Sequence, residues 1–168
     1  MRPPVAPSSG HFVILAFIIF LLCAPAAAGD LPEERASLKG VTAFAVVVEP
    51  ISDQLSKAGL TTDYIKTDVE LRLRKSGITV TPTASGMLYV NVYAREHRAC
   101  SIYTLGMHVG FEQLVSLKRD PSISVPATTW STDAVGTVGV ENVRAVREAI
   151  GDLVDQFINV YLEQNPKK

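Results

Sequence analysis

Cysteine is almost missing from this chain: two in 168 residues, Cys23 and Cys100. Cys23 falls within an N-terminal apolar run, so a chain that loses that run keeps one thiol and forms no internal disulfide. Stability must then come from a packed core. Histidine is scarce too, with three in the whole sequence. His97 and Cys100 have half of a metal site's spacing, but a structural zinc needs about four ligands and only His108 remains downstream. The expectation is a polar loop with a lone thiol and no metal. There is no Gly-x-Ser-x-Gly elbow, and Gly136-x-x-Gly139 is too sparse and lacks the lysine of a phosphate cradle. No cofactor is implied. An excess of positive charge is also lacking: 16 Lys and Arg stand against 17 Asp and Glu, for a formal charge of −1. That balance argues against nucleic acid and against a polybasic membrane-surface module.

The long apolar run that does exist, Phe12–Ala24, is short for a membrane span. As a helix it reaches about 20 Å, against a hydrocarbon core of roughly 30 Å. Arg2 precedes it and the small residues Ala26-Ala27-Ala28-Gly29 follow. A charged start, a greasy centre and a small-residue cleavage site make a secretory signal over residues 1–29, which implies a periplasmic or secreted product without a stable transmembrane anchor. Its removal takes away one base, Arg2, and no acid, moving the formal charge from −1 to −2. A lipoprotein signal wants a small residue before the acylated cysteine. Leu22 stands there, so lipidation at Cys23 is not expected.

Asp30–Lys39, acidic and containing Pro32, reads as a flexible leader to one domain over 40–165. Val41–Val48 is apolar on both sides, as in an interior strand, and Glu49-Pro50 closes it. Thr61, Thr62 and Asp63 offer N-cap oxygens to a helix carrying Ile65, Val69 and Leu73, and Gly77 supplies a left-handed stop. Arg72, Arg74 and Lys75 complement the dipole at its end. Ile78–Val80 starts a short strand.

The clearest alternation runs through Met87–Arg95 and Ser101–Leu117. Leu88, Val90, Val92, Leu105, Met107, Val109, Phe111, Val115 and Leu117 take the packed side; Tyr89, Asn91, Tyr93, Thr104, Gly106, His108 and Gly110 take the other. A bend or bulge is expected near Gly106 or Gly110, since a straight strand would be about 55 Å long. Asp120-Pro121 reads as a turn, Ala127–Thr132 as a last strand, and Gly136 and Gly139 as a link into a long amphipathic helix over Val140–Gln164. The expected architecture is α+β: a two-layer sandwich with a mainly antiparallel sheet of about four to five strands and two helices packed on one face. The other sheet face has no element left to cover it.

The strand-helix-strands-helix order behind an export signal, carried by Val41–Val48, Thr62–Gly77 with Ile78–Val80, and Val140–Gln164, resembles small exported bacterial envelope proteins. These include the accessory lipoprotein of the lipopolysaccharide-assembly translocon and the TolB N-terminal domain. The resemblance implies a non-catalytic adaptor with an envelope protein partner. No motif aligns, so it transfers no site residue.

The residues alone nominate the uncovered face: Tyr89, Asn91, Tyr93 and His108, with Trp130 joining according to register. Aromatic side chains on an open surface anchor partners, and exposed edge-strand backbone would add β-augmentation. Two other readings compete. A carrier of a small or amphipathic ligand needs a cavity lined by Met107, Phe111 and Phe157, residues that otherwise fill the core. An enzyme needs His108 or Cys100 beside a carboxylate such as Glu112, yet His108 and Glu112 lie about 13 Å apart along a strand.

Overall fold

The computed structural model describes residues 31–166. The signal-type segment 1–29, with Cys23, lies outside the described residues. The elements in chain order are α1 (Pro32–Ala36), β1 (Ala43–Val48), α2 (Asp53–Lys57), α3 (Thr62–Lys75), β2 (Thr79–Val80), β3 (Gly86–His97), β4 (Ile102–Leu117), β5 (Asp120–Gly139), a 3-10 turn (Val140–Asn142) and α4 (Arg144–Gln164). The sheet has strand order β2-β1-β3-β4-β5. β1 runs parallel to both β2 and β3, and β3-β4-β5 is an antiparallel meander. This is the expected α+β sandwich, with α3 and α4 on one face.

Local chemistry sets the boundaries. Thr61 Oγ1 caps α3 by accepting from Tyr64 N at 3.3 Å. At the other end Gly77 takes φ +79°, its N–H reaches Arg74 O, and Ile78 N–H reaches Leu73 O at 3.0 Å. That doubly bonded stop needs a left-handed residue, which glycine adopts without a Cβ penalty. It turns the chain straight into β2. The short helix α2, capped by Ser52 and burying Leu55, had no visible periodicity at its length.

The core lies between the sheet and α3/α4. Leu88, Val90, Val92, Leu105, Met107, Val109 and Phe111 point into it from the meander, against Ile65, Val69, Leu73, Ile150, Val154 and Phe157 from the helices. Phe44 of β1 is its aromatic centre, with edge-to-face contacts to Phe111, Phe157 and Tyr161 at ring separations of 5.2, 5.2 and 5.3 Å. Such geometry sets ring edges against electron-rich faces.

Three expectations change, and the expected bulge is placed. The leader is not loose over its described part: α1 occupies it, Leu38 is fully buried, and the end of α4 clasps it. Asn165 Oδ1 accepts from Gly40 N at 2.7 Å, Asn165 Nδ2 donates to Leu38 O at 2.9 Å, and Tyr161 Oη donates to Val41 O at 2.7 Å. The last strand is not confined to Ala127–Thr132; β5 is 20 residues long and absorbs both the presumed turn at Asp120-Pro121 and the presumed link at Gly136 and Gly139. Register shifts of the β4–β5 ladder fall between Phe111 and Glu112, next to Gly110, and between Ser116 and Leu117; the extra residue at the first is Thr129 of β5, and β4 itself runs unbroken. Beyond the first shift the β4–β5 hairpin overhangs the core, leaving Val115 and Leu117 half-exposed rather than packed.

Candidate functional site

The open face is built row by row from strand register. Asn91 on β3, His108 on β4 and Asp133 on β5 lie side by side. One row further lie Tyr93, Gly106 and Val135; one row back lie Tyr89, Gly110 and Ser131, with Val47 of β1 beside Tyr89. Four of the nominated residues, Tyr89, Asn91, Tyr93 and His108, therefore come together on one surface. Trp130 does not. The ladder pairs it with Phe111, in the same register that sets His108 beside Asp133, and Phe111 faces the helices, so Trp130 is 3 % exposed and packs edge-on against Phe157 at 5.3 Å.

A hydrogen-bonded chain crosses this surface. Tyr89 Oη donates to Glu49 Oε1 at 2.9 Å and accepts from Asn91 Nδ2 at 3.2 Å. Asn91 Nδ2 also donates to Tyr93 Oη at 2.9 Å. Burial first, and then the bond to the Glu49 carboxylate, hold the Tyr89 phenol above its ordinary 10.0, so it remains a donor through neutral pH. His108 Nδ1 lies 2.7 Å from Asp133 Oδ1, and its ring meets that of Tyr89 edge-on at 6.2 Å.

The two glycines of this face, Gly106 and Gly110, differ. A Cβ at Gly106 would meet nothing within 4 Å, whereas one at Gly110 would lie 2.7 Å from His108 Nε2. The imidazole thus roofs Gly110, and the open floor is at Gly106, between Tyr93 and Val135. Those two are strongly exposed apolar residues, at 67 % and 83 %; Val47 and Met87 extend the patch toward β1. The rest of the face is a braced platform: side chains bonded to one another hold the exposed ones in fixed positions at little entropic cost.

Asp133, Val135 and Glu49 were missed by sequence reasoning. Alternation does continue beyond Thr132, with Asp133, Val135 and Thr137 against Ala134, Gly136 and Val138, but alanine and glycine flatten its hydrophobic contrast. Glu49 read only as the residue closing a strand.

The competing chemistries fare differently from this platform. Met107, Phe111 and Phe157 are at most 6 % exposed and packed into the core, where a carrier would need a cavity. His108 faces Asp133 instead of Glu112. Cys100 is exposed in the β3–β4 turn, where His97 Nε2 is taken up by Thr104 Oγ1 at 3.1 Å. Among the described residues no three His, Cys, Asp or Glu side chains converge as metal ligands, and no helix is long and apolar enough to cross a membrane. A groove of about 580 Å³ runs between α3 and α4, bridged by two ion pairs: Arg147 forks onto Asp68 and Arg72 reaches Asp155.

No protein-family model matches the chain, and no curated protein matches it. Among solved structures the chain is similar to a PelC dodecamer from Paraburkholderia phytofirmans, at 13 % identity and a TM-score of 0.42, over 76 % of this chain and 89 % of that one.

Proposed function

We propose that this is an exported, non-catalytic binding protein of the bacterial envelope that holds a protein partner on the open face of its sheet. The observation that carries the reading is the asymmetry of the sheet: α3 and α4 cover one face, and the other presents Tyr93 and Val135 above the Gly106 floor. Apolar side chains clustered on an otherwise polar surface are characteristic of interaction sites, and tyrosine gives much contact area for little lost freedom. The signal-type N-terminus supports export to the periplasm or beyond, and the likeness to envelope accessory proteins supports the setting. The near-balanced charge agrees with a protein partner rather than nucleic acid.

The test is crosslinking in the source cells with the C-terminally tagged full chain, followed by identification of what co-purifies. Tyr89→Ala combined with Tyr93→Ala should leave folding intact by circular dichroism and reduce recovery of a stoichiometric envelope partner by at least about tenfold, as loss of two interface anchors does. Recovery at the wild-type level would refute the assignment of this face.

A further inference from the structure

β5 is the last strand of the sheet, and no strand pairs with its outer edge among the described residues. The edge is guarded over only part of its length. Its first half carries Pro121 and Pro126, and at the bulge the Ser37 hydroxyl donates to Thr129 O at 3.2 Å. At its far end Val140 N–H turns away to Ser101 O at 3.1 Å. Between these points lies Ser131–Gly139, with the sequence STDAVGTVG. It contains no proline, lysine, arginine or glutamate, the residues that natural edge strands use to repel another strand. Its single charge, Asp133, faces His108. Every residue of the stretch is at least partly exposed.

We propose that Ser131–Gly139 pairs antiparallel with the same segment of a second copy, about a two-fold axis at Val135. The occupant follows from the pattern of the edge itself. A two-fold register that keeps both sheet faces aligned places residues of like parity opposite each other. An axis at Asp133 sets two carboxylates face to face. An axis at Val135, the midpoint of the unguarded stretch, uses all of it: Ser131 lies opposite Gly139, Asp133 opposite Thr137, and Val135 opposite Val135. Each carboxylate then meets a hydroxyl, and the two most exposed apolar side chains meet each other. On the order of eight to ten main-chain hydrogen bonds close the seam.

The pairing also enlarges the surface described above. Tyr93, Gly106 and Val135 form one row, so joining the copies at Val135 makes that row continuous from one Tyr93 to the other. Five strand spacings separate these tyrosines by about 24 Å. Each copy completes the other's apolar stripe.

Directly opposed residues in an antiparallel pair have Cα atoms about 4.5–5.5 Å apart, within disulfide range. The experiment uses the full chain, C-terminally tagged, carrying Cys23→Ala and Cys100→Ser, with Val135→Cys or Thr137→Cys added, purified and oxidised. Val135→Cys should give a covalent dimer on a non-reducing gel. Thr137→Cys alone should not, but should link to a copy carrying Asp133→Cys. In the chain without added cysteines, sedimentation should show a dimer that Val135→Lys weakens at least about tenfold and Val135→Thr retains. Circular dichroism keeps a folding defect separate, and position 135 is exposed enough to accept all three side chains. A monomer at every concentration, or equal crosslinking through Val135→Cys and Thr137→Cys, overturns the proposal; a monomer would leave the edge to an extended segment of another protein. Purified chain alone is used, so the result does not depend on whether the open face captures a partner.

Discussion

Phe44 touches three aromatic rings from two other elements while showing no surface to solvent, which makes it the residue whose loss the core can least absorb. Phe111, Phe157 and Tyr161 approach from β4 and α4, whose backbones are fixed by the sheet ladder and by packing of α4 along its whole length. They cannot all close on a vacated site, so a cavity remains in addition to the lost transfer energy. Phe44→Ala should therefore cost about 3–5 kcal/mol, and Phe44→Leu, which keeps most of the volume, clearly less. Urea unfolding followed by Trp130 fluorescence measures both, because the single tryptophan packs edge-on against Phe157 in the same cluster. Equal losses for the two variants would mean that the ring contacts carry the whole cost and that the volume retained by leucine contributes nothing.

At the scale of elements, the end of α4 does more than close the fold. Tyr161 and Asn165 bond to Leu38, Gly40 and Val41, and Arg35 pairs with Glu163, so the last helical turn holds the segment leading into β1. Tyr161→Phe with Asn165→Ala removes the neutral bonds and leaves the ring against Phe44. The expected global cost is about 1 kcal/mol for each side chain, with faster hydrogen exchange confined to residues 38–41 and their neighbours. Uniform acceleration across the sheet would show that the clasp supports the whole fold instead. This clasp was not legible in the sequence, because it joins polar atoms more than a hundred positions apart. Helices α3 and α4 were legible, since caps and three-four spacing are local, and so was the alternation of β3 and β4. β5 was legible only at Ala127–Thr132, since its edge position removes the need for large apolar residues and its small ones break the pattern elsewhere. The same cause hid half of the candidate site: the aromatic residues of β3 stood out, while Asp133 and Val135 are ordinary until register places them beside His108 and Gly106.

Over the whole molecule the layers are joined in different ways. Apolar packing fixes the helices to the sheet, whereas ion pairs fix the helices to each other along their outer surface. Arg147 of α4 forks onto Asp68 of α3, and Arg72 of α3 lies across Gly151 to reach Asp155 of α4. The hydrogen bonds from Arg147, opposed by partial burial and aided by the charges of Arg147 and Arg72, hold the Asp68 carboxyl below its ordinary 3.8. The sign of the pH effect follows. The unfolded chain takes up a proton at Asp68 more readily than the folded one, so the contribution is complete above about pH 3.8 and is lost as pH falls toward the lower folded-state value. Both partners are substantially exposed, so the effect should be modest and should shrink as salt rises. Chemical denaturation between pH 2 and 7 tests it: Asp68→Asn should lower stability at neutral pH and flatten the acid limb of the curve, converging on the parent chain near pH 2. An unaltered acid limb would move the acid sensitivity of the fold to other carboxylates, Asp155 first among them because it makes the other bond between these helices.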